Sequence, residues 1–140
     1  MQIKMQDKTT ETAAEQSLAE NIQIEVASKF EPEQSDIDTN RYVFSYTVTI
    51  KNTAPFNVQL LSRRWVVTDG NEKQQEIEGD GVIGKQPVIE PNTSYQYSSG
   101  TVLETNVGSM FGHYNMVTAG GDSFKAQITA FTLAKPNALH

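Results

Sequence analysis

From Ile22 onward, apolar and polar positions alternate with a period of two. Ile22, Ile24 and Val26 are separated by Gln23 and Glu25, which places the apolar side chains on one face of a strand that ends before Glu31-Pro32. Phe44, Tyr46, Val48 and Ile50 alternate with Ser45, Thr47 and Thr49, the most regular strand of the chain. Asn52-Thr53-Ala54-Pro55 stops it, and Val58 to Thr68 predicts a third strand closed by Asp69-Gly70-Asn71. Gln74 to Glu78 predicts a short edge strand. Further strands follow at Ser94 to Gly100, Phe111 to Val117 and Phe124 to Leu133, with Ala119-Gly120-Gly121-Asp122 as a hairpin signal between the last two. About seven short antiparallel strands with turn residues between them predict an all-β sandwich.

Residues 1 to 20 show no such alternation and read as a mobile acidic N-terminal extension, with the sandwich domain at residues 21–140. Thr12 and Glu15 have the spacing of a capping box ahead of Leu18. A helix of two turns is marginal alone and would form only against something else.

Composition narrows the possible chemistry. A chain of 140 residues is the size of one domain and buries enough surface to fold without staples. It has no cysteine, which excludes disulfides, thiolate zinc sites and cysteine nucleophiles and fits a reducing compartment. With neither a signal-type apolar segment nor an apolar run long enough to span a bilayer, the expected location is cytoplasmic, with no membrane partner. The net charge of -6 is carried by the first 40 residues, where three lysines face nine acids, while the remainder is balanced. Such a body offers no electrostatic funnel for nucleic acid.

Gly79-Asp80-Gly81-Val82-Ile83-Gly84 matches G-x-G-x-x-G, the pattern that cradles a pyrophosphate when a helix follows it. Pro87 and Pro91 interrupt the segment that would have to be helical, so the glycines are expected to shape a loop between strands. Alternation places Arg63 on the same face as Trp65, the expected centre of the core. A guanidinium there requires a carboxylate or several carbonyls, a place at the sandwich end where it holds an external anion, or a bulge that turns it outward. Glu76, Glu78 and Asp80 form a carboxylate row that could take a hard cation, although charges on an edge strand more commonly discourage edge pairing. His113 has no second histidine or cysteine at ligand spacing. No serine stands in a nucleophile elbow, so no catalytic residue is assigned.

Four blocks give the chain a resemblance. Leu60-Leu61-Ser62-Arg63-Arg64-Trp65, Gly79 to Gly84 with Pro87, Tyr95-Gln96-Tyr97-Ser98-Ser99-Gly100, and Gly112-His113-Tyr114-Asn115-Met116 together resemble, over about residues 20 to 140, the bacterial ApaG family. The resemblance implies an immunoglobulin or fibronectin type III-like β-sandwich. It brings no settled catalytic activity and no cofactor; the family is linked to diadenosine tetraphosphate hydrolase by gene neighbourhood and to cobalt resistance and magnesium efflux by phenotype. Similar domains in eukaryotic F-box proteins and in a polymerase-delta-interacting protein look like interaction modules. The family pattern carries onto Arg63, Trp65, Gly79, Gly81, Gly84, Pro87, Tyr95, Gly100, Gly112, Tyr114 and Met116, whereas Asp80 and His113 stand at variable positions.

The resulting expectation is a non-enzymatic module that binds a protein partner through the glycine loop and the neighbouring Tyr95, Tyr97 and Tyr114. A sensor of small phosphorylated ligands is the alternative, with Gly79, Gly81 and Gly84 as an anion nest and Arg63 or Lys85 as counter-charge. A role in magnesium or cobalt homeostasis through oxygen ligands is the third reading.

Overall fold

The computed structural model describes residues 11–138. They form a β-sandwich preceded by one short helix, α1 (Ala13–Ala19). The strands are β1 (Ile22–Phe30), β2 (Tyr42–Asn52), β3 (Val58–Asp69), β4 (Gln74–Asp80), β5 (Val88–Ile89), β6 (Ser94–Leu103), β7 (Val107–Thr118) and β8 (Ser123–Ala134). One sheet has the order β1-β2-β6, and the other has the order β4-β3-β7-β8 with β5 also paired to β3. All strand pairs are antiparallel. The strand beyond the expected seven is β5, only two residues long and so below what periodicity can register.

The alternation of β2 becomes the inner wall of the sandwich. Phe44, Tyr46, Val48 and Ile50 are all buried, and their polar neighbours face outward. Opposite them, Trp65 is 2% exposed and holds the centre expected of it. Its ring lies 5.5 Å from Tyr46, 5.9 Å from Phe131 and 6.4 Å from Tyr114, each in an edge-on arrangement that aromatic quadrupoles favour. Residues from both sheets therefore meet on one indole.

Strand β3 does not keep a single phase. Val58 and Leu60 point inward, and so do Trp65 and Val67; the switch is made by a bulge between Leu60 and Ser62 against β7. Strand β7 keeps one phase and buries Met110, Tyr114 and Met116 while Phe111 stays 42% exposed; a second bulge, where Met110 pairs with Phe131 and Gly112 with Ile128, puts an extra residue into β8 and switches its inward positions from Phe124, Ala126 and Ile128 to Phe131 and Leu133.

Residues 11–20 of the expected extension include α1, whose ends are defined by sequence. The Thr12 hydroxyl accepts from the Glu15 N–H at 3.0 Å, and the Glu15 carboxylate accepts from the Thr12 N–H at 2.9 Å. The helix rests on β8, with Leu18 and Ala19 packed against the core cluster. It has the partner that so short a helix requires. Among the described residues no helix is long and apolar enough to cross a membrane.

Candidate functional site

Strands β4 and β5 lie end to end along one flank of β3, β4 opposite Ser62 to Thr68 and β5 opposite Val58 and Gln59. The chain between them must leave the sheet and return to it, and the glycine run occupies that excursion. Gly81 donates its N–H to the Leu61 carbonyl at 2.8 Å, Gln86 Nε2 donates to the same carbonyl at 2.9 Å, and Leu60 donates to the Pro87 carbonyl at 3.0 Å. These bonds sew both legs of the loop to β3.

The tip is a two-residue hairpin. Val82 and Lys85 exchange backbone hydrogen bonds of 2.8 and 3.0 Å, and the two residues between them, Ile83 and Gly84, have φ of 48° and 75°. Two positive φ angles define the turn type that matches strand twist, usually filled by Asn-Gly or Gly-Gly. Glycine suits the second position. Ile83 does not suit the first, because a β-branched side chain in the left-handed region is strained. Ile83 is nevertheless 60% exposed, whereas its neighbour Val82 is fully buried and anchors the hairpin to the core.

The sequence requirement for glycine is sharpest at Gly81. Its φ is 63°, and a Cβ there would collide with the Lys85 carbonyl, so the hairpin closes only with glycine at this position. Gly79 serves a different contact, since a Cβ on it would stand 2.8 Å from Arg63 Nη1. Arg63 fills that space and donates to the Gly81 carbonyl at 2.9 Å and to the Asp80 carbonyl at 3.3 Å. Of the arrangements open to Arg63, the carbonyl-bonded one is realised. The half-buried guanidinium clasps the loop through these two carbonyls.

The remaining candidates separate. Tyr97 and Tyr114, expected on an exposed recognition face, are core residues at 8% and 0% exposure, and their hydroxyls hydrogen-bond to each other between the sheets. Both lie on inward positions of β6 and β7, and alternation alone does not tell which face of a sheet looks inward. Tyr95 shares the inner side of β6 but is only partly buried near its end. Burial raises the Tyr97 hydroxyl to about 12, against the opposing effect of its bond to Tyr114; burial and the neighbouring Tyr97 raise Tyr114 further. Lys85 is exposed beside the hairpin tip.

The carboxylate row is divided by its partners. Glu76 and Glu78 face Arg64 on β3, at 2.8 Å and 3.2 Å from its guanidinium. Asp80 follows where the chain leaves the sheet, in register with Ser62. Among the described residues no three histidine, cysteine or acidic side chains stand together to hold a metal ion. His113 pairs in register with Arg64, and burial, Lys125 and Arg64 lower its pKa, which favours a neutral ring.

Two further residues are not marked by periodicity. Ile83 stands among glycines, and the spacing Val-x-Gly-Lys is the local signal for its tight hairpin. Asn52, read only as the end of a strand, is fully buried. It donates to the Phe56 and Ile89 carbonyls at 2.8 and 2.9 Å and accepts from the Ala54 N–H at 2.9 Å, which ties β5 and the β2–β3 turn together.

These features define a two-sheet sandwich of the fibronectin type III kind that presents a rigid glycine hairpin from the flank of one sheet. The chain belongs to the ApaG family: the ApaG domain profile matches residues 32–118. Protein ApaG of Vibrio atlanticus is 54% identical over 119 residues, which make up 85% of this chain and 94% of that relative. An X-ray structure of a structural-genomics target superimposes with a TM-score of 0.84 at 46% identity, covering 88% of this chain and 93% of the other. A crystal structure from Bordetella pertussis gives a TM-score of 0.81 at 42% identity, covering 84% and 95%.

Proposed function

We propose that this ApaG-family chain is a cytoplasmic, non-enzymatic recognition module that binds a protein partner through the tip of the glycine hairpin. The observation that carries the reading is Ile83. It is a large apolar side chain held in a strained backbone conformation and offered to solvent on a hairpin whose base is fixed by Arg63, Gly81 and Val82. Strain of this kind persists where surrounding structure enforces it, and it clusters at sites of use. Rigidity also lowers the ordering cost of binding. The recognition face is thus aliphatic at its centre, with Lys85 at its side, while Tyr97 and Tyr114 belong to the core.

The phosphate reading is weaker on the same geometry. An anion nest needs several backbone N–H groups aimed at one point. In this loop the N–H groups of Gly81, Val82 and Lys85 donate to carbonyls of the chain itself, and Arg63 is committed to carbonyls as well. The cation reading is weakened by Arg64, whose guanidinium already pairs with both Glu76 and Glu78.

Capture from native lysate tests the proposal, using the wild type and Ile83→Asp as baits, with and without diadenosine tetraphosphate and magnesium. A partner retained by the wild type, lost with Ile83→Asp and indifferent to nucleotide is the expected result. Calorimetry with pyrophosphate or diadenosine tetraphosphate that gives saturable heat abolished by Lys85→Ala would favour the phosphate reading instead, and turnover of the nucleotide would overturn the non-enzymatic assignment.

A further inference from the structure

The open edges of the two sheets are treated very differently. Strand β4 carries Glu76, Glu78 and Asp80, the usual means of discouraging another strand from adding to an edge. On the opposite side of the sandwich, β8 is covered by α1 and by β1, whose Ser28 hydroxyl donates to the Thr132 carbonyl at 3.1 Å. Strand β6 has no such device. It is ten residues long, contains neither a charged residue nor a proline, and runs in unbroken register with β2 from Ser94 opposite Lys51 to Leu103 opposite Tyr42. Its other flank pairs with no strand among the described residues. A long, uncharged edge is a template for strand addition.

The order of side chains along β6 points to the strand that fits it. Large residues occupy one half of its inner row, Tyr95 and Tyr97, and small hydroxyl residues the other, Ser99 and Thr101. We propose that β6 is the seam of a homodimer, in which two copies pair their β6 strands antiparallel about a two-fold axis at Ser98 and fuse two three-stranded sheets into one of six strands. In that register Tyr97 lies beside Ser99 of the second copy and Tyr95 beside its Thr101. On the outer face Gln96 meets Gly100. Every large side chain faces a small one, and no charge opposes a like charge. An isologous contact requires this self-complementarity, and the sequence of one strand supplies it. Outer-face positions Ser94, Gln96, Ser98, Gly100 and Val102 are exposed, so pairing needs no rearrangement of the sandwich.

A single strand pair is a smaller contact than the roughly 1,600 Å² of a standard stable interface, so the dimer forms with rising concentration and is not permanent. Sedimentation velocity from micromolar to millimolar protein therefore tests it. The wild type is expected to shift from monomer toward dimer over that range. Ser98→Lys and Ser98→Glu each place like charges across the axis and are expected to remain monomeric, while an equimolar mixture of the two regains association. Ser98 is exposed, and of its side-chain bonds only that to the Thr47 hydroxyl is lost, so both variants keep the fold, which circular dichroism verifies. A wild type that stays monomeric throughout, or a Ser98→Lys variant that associates as the wild type does, overturns the proposal.

Discussion

Tyr97 on β6 and Tyr114 on β7 join the two sheets through a hydrogen bond between their hydroxyls, with ring centroids 6.5 Å apart. Either hydroxyl can donate, and each is shielded from water by the other sheet. Removing one partner leaves the remaining hydroxyl buried and unpaired, which costs about 1–3 kcal/mol. Removing both removes the unpaired group as well. Tyr97→Phe and Tyr114→Phe are therefore each expected to destabilise the protein, and the double variant is expected to lose less than the sum of the two. Urea unfolding of the four proteins measures the coupling; strict additivity would show that the bond contributes nothing.

The same pair sets the response to alkali. In the unfolded chain tyrosine titrates near 10, while in the folded protein burial raises Tyr97 to about 12 and Tyr114 and Tyr46 upward as well. The native state holds these protons longer than the unfolded state does. Stability is accordingly complete below pH 10 and falls as pH rises through 10 toward 12. Unfolding free energies at about pH 9 and about pH 11 should show this decline in the wild type and a shallower one in the Tyr97→Phe/Tyr114→Phe variant.

Arg63 acts on the loop and not on the core as a whole. Its guanidinium satisfies the Asp80 and Gly81 carbonyls, and the space it fills is left by Gly79. Arg63→Ala is expected to cost about 1–2 kcal/mol. Amide exchange should accelerate at Gly81, Val82 and Lys85 while the amides of β2 and β7 stay protected. Arg63→Lys should not restore that protection, because an ammonium lacks the planar guanidinium that packs on Gly79 and so aims Nη1 at both carbonyls. Uniform acceleration across the sandwich would contradict a local clasp.

The strands were legible where one face is buried and the other wet, because that asymmetry writes a period of two into β1, β2 and β8. The position of Trp65 was legible for the same reason. The bulge at Leu60 to Ser62 was not, since it shifts phase without changing composition and turns Leu60 instead of Leu61 to the core. Tyr97 and Tyr114 could be placed on faces but not inside, because inward and outward are properties of two sheets together. Asn52 shows this most clearly: two of its bonds are local, but the one to the Ile89 carbonyl spans 37 residues, and no local pattern announces it. The proline positions mark the glycine run as the end of a strand and a loop, yet its telling residue is the β-branched Ile83, which ought to avoid such a conformation.

That conformation has a stability consequence. Ile83 holds a φ of 48° that asparagine tolerates far better. Ile83→Asn is expected to raise stability by about 1 kcal/mol, read as a higher thermal midpoint. A stabilising change at an exposed position that carries function is the usual sign of strain retained for use. A lower midpoint would mean that the isoleucine is needed for packing and not for recognition.

A recognition module must touch its partner with the hairpin tip, and site-specific photo-crosslinking in cells reads that contact. A photoreactive phenylalanine analogue placed at position 83 reports what lies within reach of the tip, and the same group at position 23, an exposed site on β1, serves as the control. A discrete covalent adduct of defined mass is expected at position 83 and not at position 23. No adduct at position 83, or the same adducts at both positions, would contradict that contact.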